Sequence, residues 1–173
     1  MIVCPGFHEP ALTDGFVRSL PSFVVPHVVK TFPADPWSTF CKIREVFQEQ
    51  AVGQAVAGIG FSGGVVGLVG ALKIWQQQGG AIAKLIAIDG WGVPTLDLPV
   101  CRMSHDEFTH VTSAALEKKG SHFYADLAVD HLAMWGAPAQ VKGWQTKGPQ
   151  VRKSSDKQIT AADFIADQLQ DLV

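Results

Sequence analysis

Ser62 lies in the run Gly60-Phe61-Ser62-Gly63-Gly64, which fits G-x-S-x-G, the pattern of a nucleophile elbow. In such a turn the serine takes a strained backbone conformation between a strand and a helix. Glycines two before and two after it have no Cβ to clash with the neighbouring elements. The strain lifts Oγ above the sheet, and the helix N-terminus favours negative charge there. The same segment, through Gly58, Gly60 and Gly63, also spells G-x-G-x-x-G. That pattern lets a dinucleotide pyrophosphate approach the backbone. Both demand strand–turn–helix, so the glycine turn alone does not choose between them.

Three further features favour the elbow. A dinucleotide site wants an acidic residue about 20 positions past its glycines, and the available one, Asp89, lies 26 beyond Gly63. A hydrolase needs a second backbone donor from the loop after an earlier strand, and Cys4-Pro5-Gly6-Phe7-His8 offers a strand followed by a glycine turn. It also needs an acid and then a histidine downstream, each after its own strand. Asp106 and His131 occupy such positions, giving the order Ser62…Asp106…His131. Asp89, at another strand end, is the alternative acid. Its competing role is an aspartate that bonds its own backbone in Asp89-Gly90. Asp130, adjacent to His131, reads as a solvent-facing turn residue. His105 and His110 compete with His131 for the base. His105, Asp106 and His110 could gather around a metal, but no H-E-x-x-H or cysteine–histidine spacing accompanies them. No metal or cofactor is therefore expected. Phe61, Trp91 and Trp37 follow strand ends and are candidates for a substrate pocket, with ordinary core packing as the competing role.

These residues need elements to position them. Short β-rich runs at 1–4, 27–32, 54–60, 84–89, 99–104 and 121–127 alternate with helical stretches at 11–20, 40–51, 63–77, 112–119 and 161–172. Ser38 or Thr39 is placed to cap the second helix. The stretch 136–157 carries Lys142, Lys147, Arg152, Lys153 and Lys157 with no clear period. It reads as a long loop before the last helix and a candidate lid. Strands alternating with helices predict a doubly wound, mainly parallel six-stranded sheet in three αβα layers. The 173 residues fit a single domain spanning 1–173.

Composition agrees with a sheet buried on both faces, since 47% of residues are hydrophobic and only 17% charged. A net charge of −2 and a pI near 6.3 argue against nucleic acid as a partner. No run reaches the roughly 20 apolar residues of a bilayer span, so no membrane association is expected. Met1-Ile2-Val3-Cys4 running into Pro5-Gly6 lacks the layout of a secretory leader. With three widely spaced cysteines, Cys4, Cys41 and Cys101, expected to be buried free thiols, this points to the cytoplasm.

Taken together these segments resemble the α/β-hydrolase superfamily over most of the chain. Pro5-Gly6-Phe7 is similar to the family's His-Gly-x oxyanion loop, with proline in place of histidine. Gly60-Phe61-Ser62-Gly63-Gly64 is similar to its elbow, with a second glycine where many members carry a larger residue. Arg102-Met103-Ser104-His105-Asp106 resembles the strand end that carries its acid, and Ala128-Val129-Asp130-His131 the turn that carries its histidine. The stretch 123–135 is also similar to small, uncharacterised hydrolase-like proteins of cyanobacteria. The resemblance implies a reduced, capless member of the fold. It implies hydrolysis of a small ester or thioester through an acyl-serine, with Ser62 as nucleophile, His131 as base and Asp106 as its acid. Backbone N–H groups of Gly63 and of Phe7 or His8 would form the oxyanion hole. Two other functions stay open: a non-catalytic binding module on the same fold, and a dinucleotide-binding protein using Gly58, Gly60 and Gly63.

Overall fold

In the computed structural model, which describes residues 1–47, 55–114, 116, 120–148, 151, 156–170 and 172, the chain alternates strands and helices. Its elements are β1 (Ile2–Cys4), α1 (Pro10–Ser19), β2 (His27–Val28), α2 (Pro36–Phe47), β3 (Val56–Phe61) and α3 (Gly63–Gln77). They continue as β4 (Ile82–Ile88), β5 (Val100–Ser104), α4 (Glu107–Ala114), β6 (Ser121–Ala125), α5 (Ala133–Gly136), β7 (Lys142–Lys147), β8 (Lys157–Thr160) and α6 (Ala161–Gln170). The strands form one sheet in the order β2-β1-β3-β4-β5-β6-β7-β8. The six from β2 to β6 are parallel, and β7 and β8 pair antiparallel. Right-handed crossovers through helices are the usual way to join parallel neighbours.

The parallel strands are apolar on both sides because helices cover both faces. Val3, Ile59, Phe61, Ile86, Ile88, Met103 and Phe123 point to one side, where Phe16 of α1, Trp135 of α5 and Phe164 and Ile165 of α6 complete a core. Their chain neighbours Ile2, Cys4, Leu85, Ala87 and Val100 point to the other, against Phe40 and Ile43 of α2 and Val65, Leu68 and Leu72 of α3. This is the period-2 alternation of a pleated strand with both faces buried. Glycines let α3 sit close. An added Cβ at Gly70 would lie 2.6 Å from the Pro36 ring, and one at Gly60 3.0 Å from the Val65 backbone.

Several boundaries differ from expectation. The sheet has eight strands rather than six, because β7 lies within the stretch read as a loop over 136–157 and β8 starts at its end. Their residues are polar, and only Gly143, Thr146 and Ile159 are buried in them, so no apolar run announces a strand. What makes β7 a strand is the open edge of β6, whose backbone groups it satisfies. Gly143 permits the approach, since a Cβ there would meet the Tyr124 carbonyl. The second helix begins at Pro36, not residue 40. Asp35 caps it by accepting from the Trp37 N–H at 2.9 Å and the Ser38 hydroxyl at 2.5 Å, so neither Ser38 nor Thr39 is the cap. The fourth helix begins at Glu107, five residues ahead of its expected start. Residues 48–51, 54, 115, 117–119 and 171 of the expected elements, and part of 136–157, lie outside the described residues. Cys4 and Cys101 are buried, but Cys41 is exposed on α2, which corrects the reading of all three thiols as buried. Among the described residues no helix is long and apolar enough to cross a membrane.

The chain leaves β1 toward β2 on one side and returns to β3 on the other. The order therefore reverses between β1 and β3, and open α/β sheets bind ligands at such a switch point, outside the carboxyl ends of the strands. Gly6 and Ser62 lie there.

Candidate active site

Ser62 joins β3 to α3 with φ 52° and ψ −124°. A β-carbon-bearing residue at positive φ is strained, typically by about 1–3 kcal/mol. The turn is tied down on both sides: the Ser62 N–H donates to the Ile88 carbonyl at 2.9 Å, and its carbonyl accepts from Val65 N–H at 3.0 Å. The glycines around it are in close contact with other elements. A Cβ at Gly64 would run into the carbonyls of Cys4 and Pro5, and one at Gly6 would come within 3.0 Å of Ser62 Cβ and the Phe61 carbonyl. The loop after β1 thus lies directly on the Ser62 turn, and the second glycine of Gly63-Gly64 is where β1 and the helix start meet. Phe7 continues this loop with its ring beside Gly63, 2.8 Å from where a Cβ would stand. Gly63 opens α3, whose first-turn N–H groups have no intrahelical acceptor.

The carboxylate that meets His131 is Asp89, at the end of β4. Asp89 Oδ2 lies 2.8 Å from His131 Nδ1. Asp89 is 6% exposed, and the His105 backbone N–H donates to its Oδ1 at 2.9 Å. Asp106, the expected acid, does not meet His131. Its Oδ1 accepts the Thr109 N–H at 2.6 Å at the start of α4, and its Oδ2 lies 3.4 Å from His105 Nε2. Burial pushes the Asp106 carboxyl up, but the Thr109 N–H and hydroxyl and the neighbouring His105 outweigh it and hold it below the usual carboxylate range. An aspartate just ahead of a helix is recruited by the orphan N–H groups of the first turn, and this draws Asp106 away from His131.

His131 is held by a column of rings. It stacks on Phe61 at 4.6 Å and 24°, Phe61 stacks on Trp135 at 5.2 Å, and Trp135 stacks on Phe16 at 3.7 Å and 9°. Phe61 is 1% exposed and so supports the His131 ring from beneath. The loop carrying His131 is pinned by the Val129 N–H to the His105 carbonyl at 3.0 Å. Asp130 accepts the Leu132 N–H at 2.8 Å as a turn residue. The hydrogen bond to Asp89 raises the His131 pKa above its ordinary value; desolvation opposes this, and the charges of Asp89 and Asp130 add to it.

Ser62, Gly63, Asp89, His105 and His131 line one cavity of about 550 Å3, walled on its apolar side by Val66, Trp91, Val93 and Phe108. Among the described residues no hydrogen bond joins Ser62 Oγ to His131. Trp91 is fixed by its indole N–H, which donates to Thr112 Oγ1 at 2.9 Å. Buried Arg102 holds the loop before it, donating to the Val93 carbonyl at 2.7 Å. Trp37 lies on α2, 60% exposed, and does not line this cavity. His8 faces a second cavity of about 910 Å3 that also takes in Gly6, Phe7, Lys30 and Leu132. Its Nδ1 lies 3.0 Å from the Glu9 carbonyl. His105, expected only as a rival base or as part of a metal cluster with Asp106 and His110, turns instead to Asp89. Its Nδ1 is 3.1 Å from Asp89 Oδ2, so two imidazoles converge on one carboxylate oxygen. Donor atoms of Asp89, His105 and His131 all lie within 4.8 Å of one another. The signal was its place at the end of β5, next to the residue chosen as acid.

No protein-family model matches the chain, and neither a curated protein nor a solved structure matches it.

Proposed function

We propose that the chain is a serine hydrolase of the α/β-hydrolase type, acting on an ester or thioester through an acyl-serine, with Ser62, His131 and Asp89 as its triad. The observation that carries this reading is the strained Ser62 at a strand–helix junction, sharing a cavity with a histidine bonded to a buried aspartate. Asp89 fixes the proton of neutral His131 on Nδ1, leaving Nε2 as the base. Nε2 takes the Ser62 proton as Oγ attacks the substrate carbonyl carbon. The oxyanion is stabilised by the N–H groups of Gly63 and Phe7. Imidazolium then returns the proton to the leaving alcohol or thiol as the carbon–oxygen or carbon–sulfur bond breaks. Water, deprotonated by the same Nε2, releases the acid and frees Ser62. The cavity, with Val66, Trp91, Val93 and Phe108 on its wall and no lysine or arginine among its lining residues, suits an uncharged apolar acyl group.

Two observations weigh against the dinucleotide alternative. Asp89 is occupied by two histidines, whereas a ribose would require its carboxylate. Gly58 and Gly60 are covered, with added Cβ atoms 2.9 Å from Leu68 and 3.0 Å from Val65, so they serve helix packing. Hydrolysis of p-nitrophenyl acetate and butyrate by purified protein, with Ser62→Ala as the control, tests the proposal. Turnover lost in Ser62→Ala supports it; equal turnover in both, or none in folded wild type, favours a non-catalytic binding module.

A further inference from the structure

His105 stands between two carboxylates, with Nδ1 3.1 Å from Asp89 Oδ2 and Nε2 3.4 Å from Asp106 Oδ2. A triad needs only one histidine on its acid, and here a second imidazole meets the same oxygen that His131 uses at 2.8 Å. Three Lewis bases therefore converge: two imidazole nitrogens and a carboxylate held from behind by the His105 N–H. Two ligands of a tetrahedral zinc at its usual bond lengths stand about 3.3 Å apart, and Asp89 Oδ2 stands 2.8 Å and 3.1 Å from the two ring nitrogens, with all three donor atoms within 4.8 Å of one another. Asp106 on the far nitrogen of His105 supplies the carboxylate–histidine–metal arrangement, which orients a ligating ring and raises its basicity. His105 and His131 are partly exposed, with 27% and 40% of their side chains accessible, against 2% for Asp89. A cation can therefore reach the cluster from the cavity, which leaves room for a fourth, exogenous ligand. Nitrogen donors with one carboxylate select zinc-like first-row cations over magnesium or calcium.

We propose that Asp89, His105 and His131 form a binding site for a zinc-type divalent cation, with Asp106 supporting His105, and that occupancy of this site excludes acyl transfer. The site itself does not depend on the hydrolase reading; the exclusion does. A cation on His131 Nδ1 sends the ring proton to Nε2, and the face toward Ser62 then carries N–H instead of a lone pair. The serine loses its base without any residue being displaced from the pocket.

Titration of the chelator-treated protein with cobalt(II), read by its visible ligand-field bands, and with zinc, read by calorimetry, tests both parts. Wild type and Ser62→Ala should each bind one cation per chain with affinities within about twofold of each other. His105→Ala and His131→Gln should each weaken binding at least 100-fold, and Asp106→Asn about 10-fold or more, in the range of outer-shell partners. Zinc at saturation should slow fluorophosphonate labelling of wild type at least 100-fold, and chelator should restore it. Absence of stoichiometric binding up to 1 mM cation, a rough ceiling for a specific site, would overturn the site. So would unchanged affinity in folded His105→Ala and His131→Gln, since the cation would then be held elsewhere. Labelling undiminished in the zinc-saturated protein would overturn the exclusion. Should wild type never label, the hydrolase reading falls, and the cobalt titration of Ser62→Ala still decides the metal site.

Discussion

Replacing Asp89 by asparagine separates the role of its charge from its role as a scaffold. Asp89 has φ 50°, a left-handed conformation that asparagine tolerates as well as aspartate, so the backbone should stay in place. The amide oxygen can still accept the His105 N–H that reaches Oδ1 at 2.9 Å. The NH2 group then faces His131 Nδ1 across the 2.8 Å now spanned by a carboxylate bond. That nitrogen must become an acceptor, the ring proton moves to Nε2, and the base that faces Ser62 is gone. A tautomer fault of this kind costs on the order of 10⁴ in rate, or about 5.4 kcal/mol of barrier at 1.36 kcal/mol per decade. The assay is the second-order rate constant for fluorophosphonate inactivation, with circular dichroism to confirm folding and chelator present throughout. Asp106→Asn should lower the same constant less than tenfold. If Asp89→Asn stays within tenfold of wild type while Asp106→Asn falls 10³-fold, the reasoning from the His131–Asp89 contact is wrong.

Other outcomes follow from the same geometry. Because the hydrogen bond that His131 donates to Asp89 raises the His131 pKa, the acidic limb of the labelling profile should lie above about 6.5, and Asp89→Asn should move it down. Its linked contribution to folding is present below the unfolded value and fades as pH rises through the folded one, measurable as the difference between urea midpoints of wild type and Asp89→Asn across pH 5–8. Phe61→Ala removes the ring under His131 and should cost about 3–5 kcal/mol in urea unfolding; a loss under 1 kcal/mol would contradict the stack. Gly64→Ala forces a methyl into the Cys4 and Pro5 carbonyls, so destabilisation at or above the upper end of about 1–3 kcal/mol is expected. A thiol reagent should modify Cys41 quickly. Cys4 and Cys101 should react only on unfolding, since burial raises both thiols, that of Cys101 to about 12; two fast thiols would argue against the packing of β1 or β5.

The parallel half of the sheet was legible because its strands are buried on both faces and read as apolar runs; Ile82–Ile88 and its neighbour Val56–Phe61 are of this kind. The tight glycine turn at Ser62 was legible because its glycines are dictated by contacts between β1, β3 and α3, and Ser62 stands at positive φ where strand meets helix. The edge strands were hidden. Lys142–Lys147 and Lys157–Thr160 have the composition of a solvated loop, and they become strands by pairing with an existing edge, which no local pattern reports. Which aspartate meets His131 was hidden for a related reason. Asp89 and Asp106 both follow strands, and only the helix that starts at Glu107 decides which carboxylate is diverted to capping. An expected helix start five residues too late removed that signal. The pairing of His105 with Asp89 was hidden because Asp89 is 16 residues away in sequence and adjacent only across the β4–β5 pair.

The central claim is that Ser62 is a nucleophile activated by His131 and Asp89. Intact-mass analysis of the chelator-treated protein after exposure to a fluorophosphonate, followed by peptide mapping, tests it most directly. A single adduct is expected on the peptide containing Ser62, absent from Ser62→Ala and suppressed in Asp89→Asn. A folded wild-type protein without an adduct, or an adduct that persists undiminished in Ser62→Ala, would contradict it.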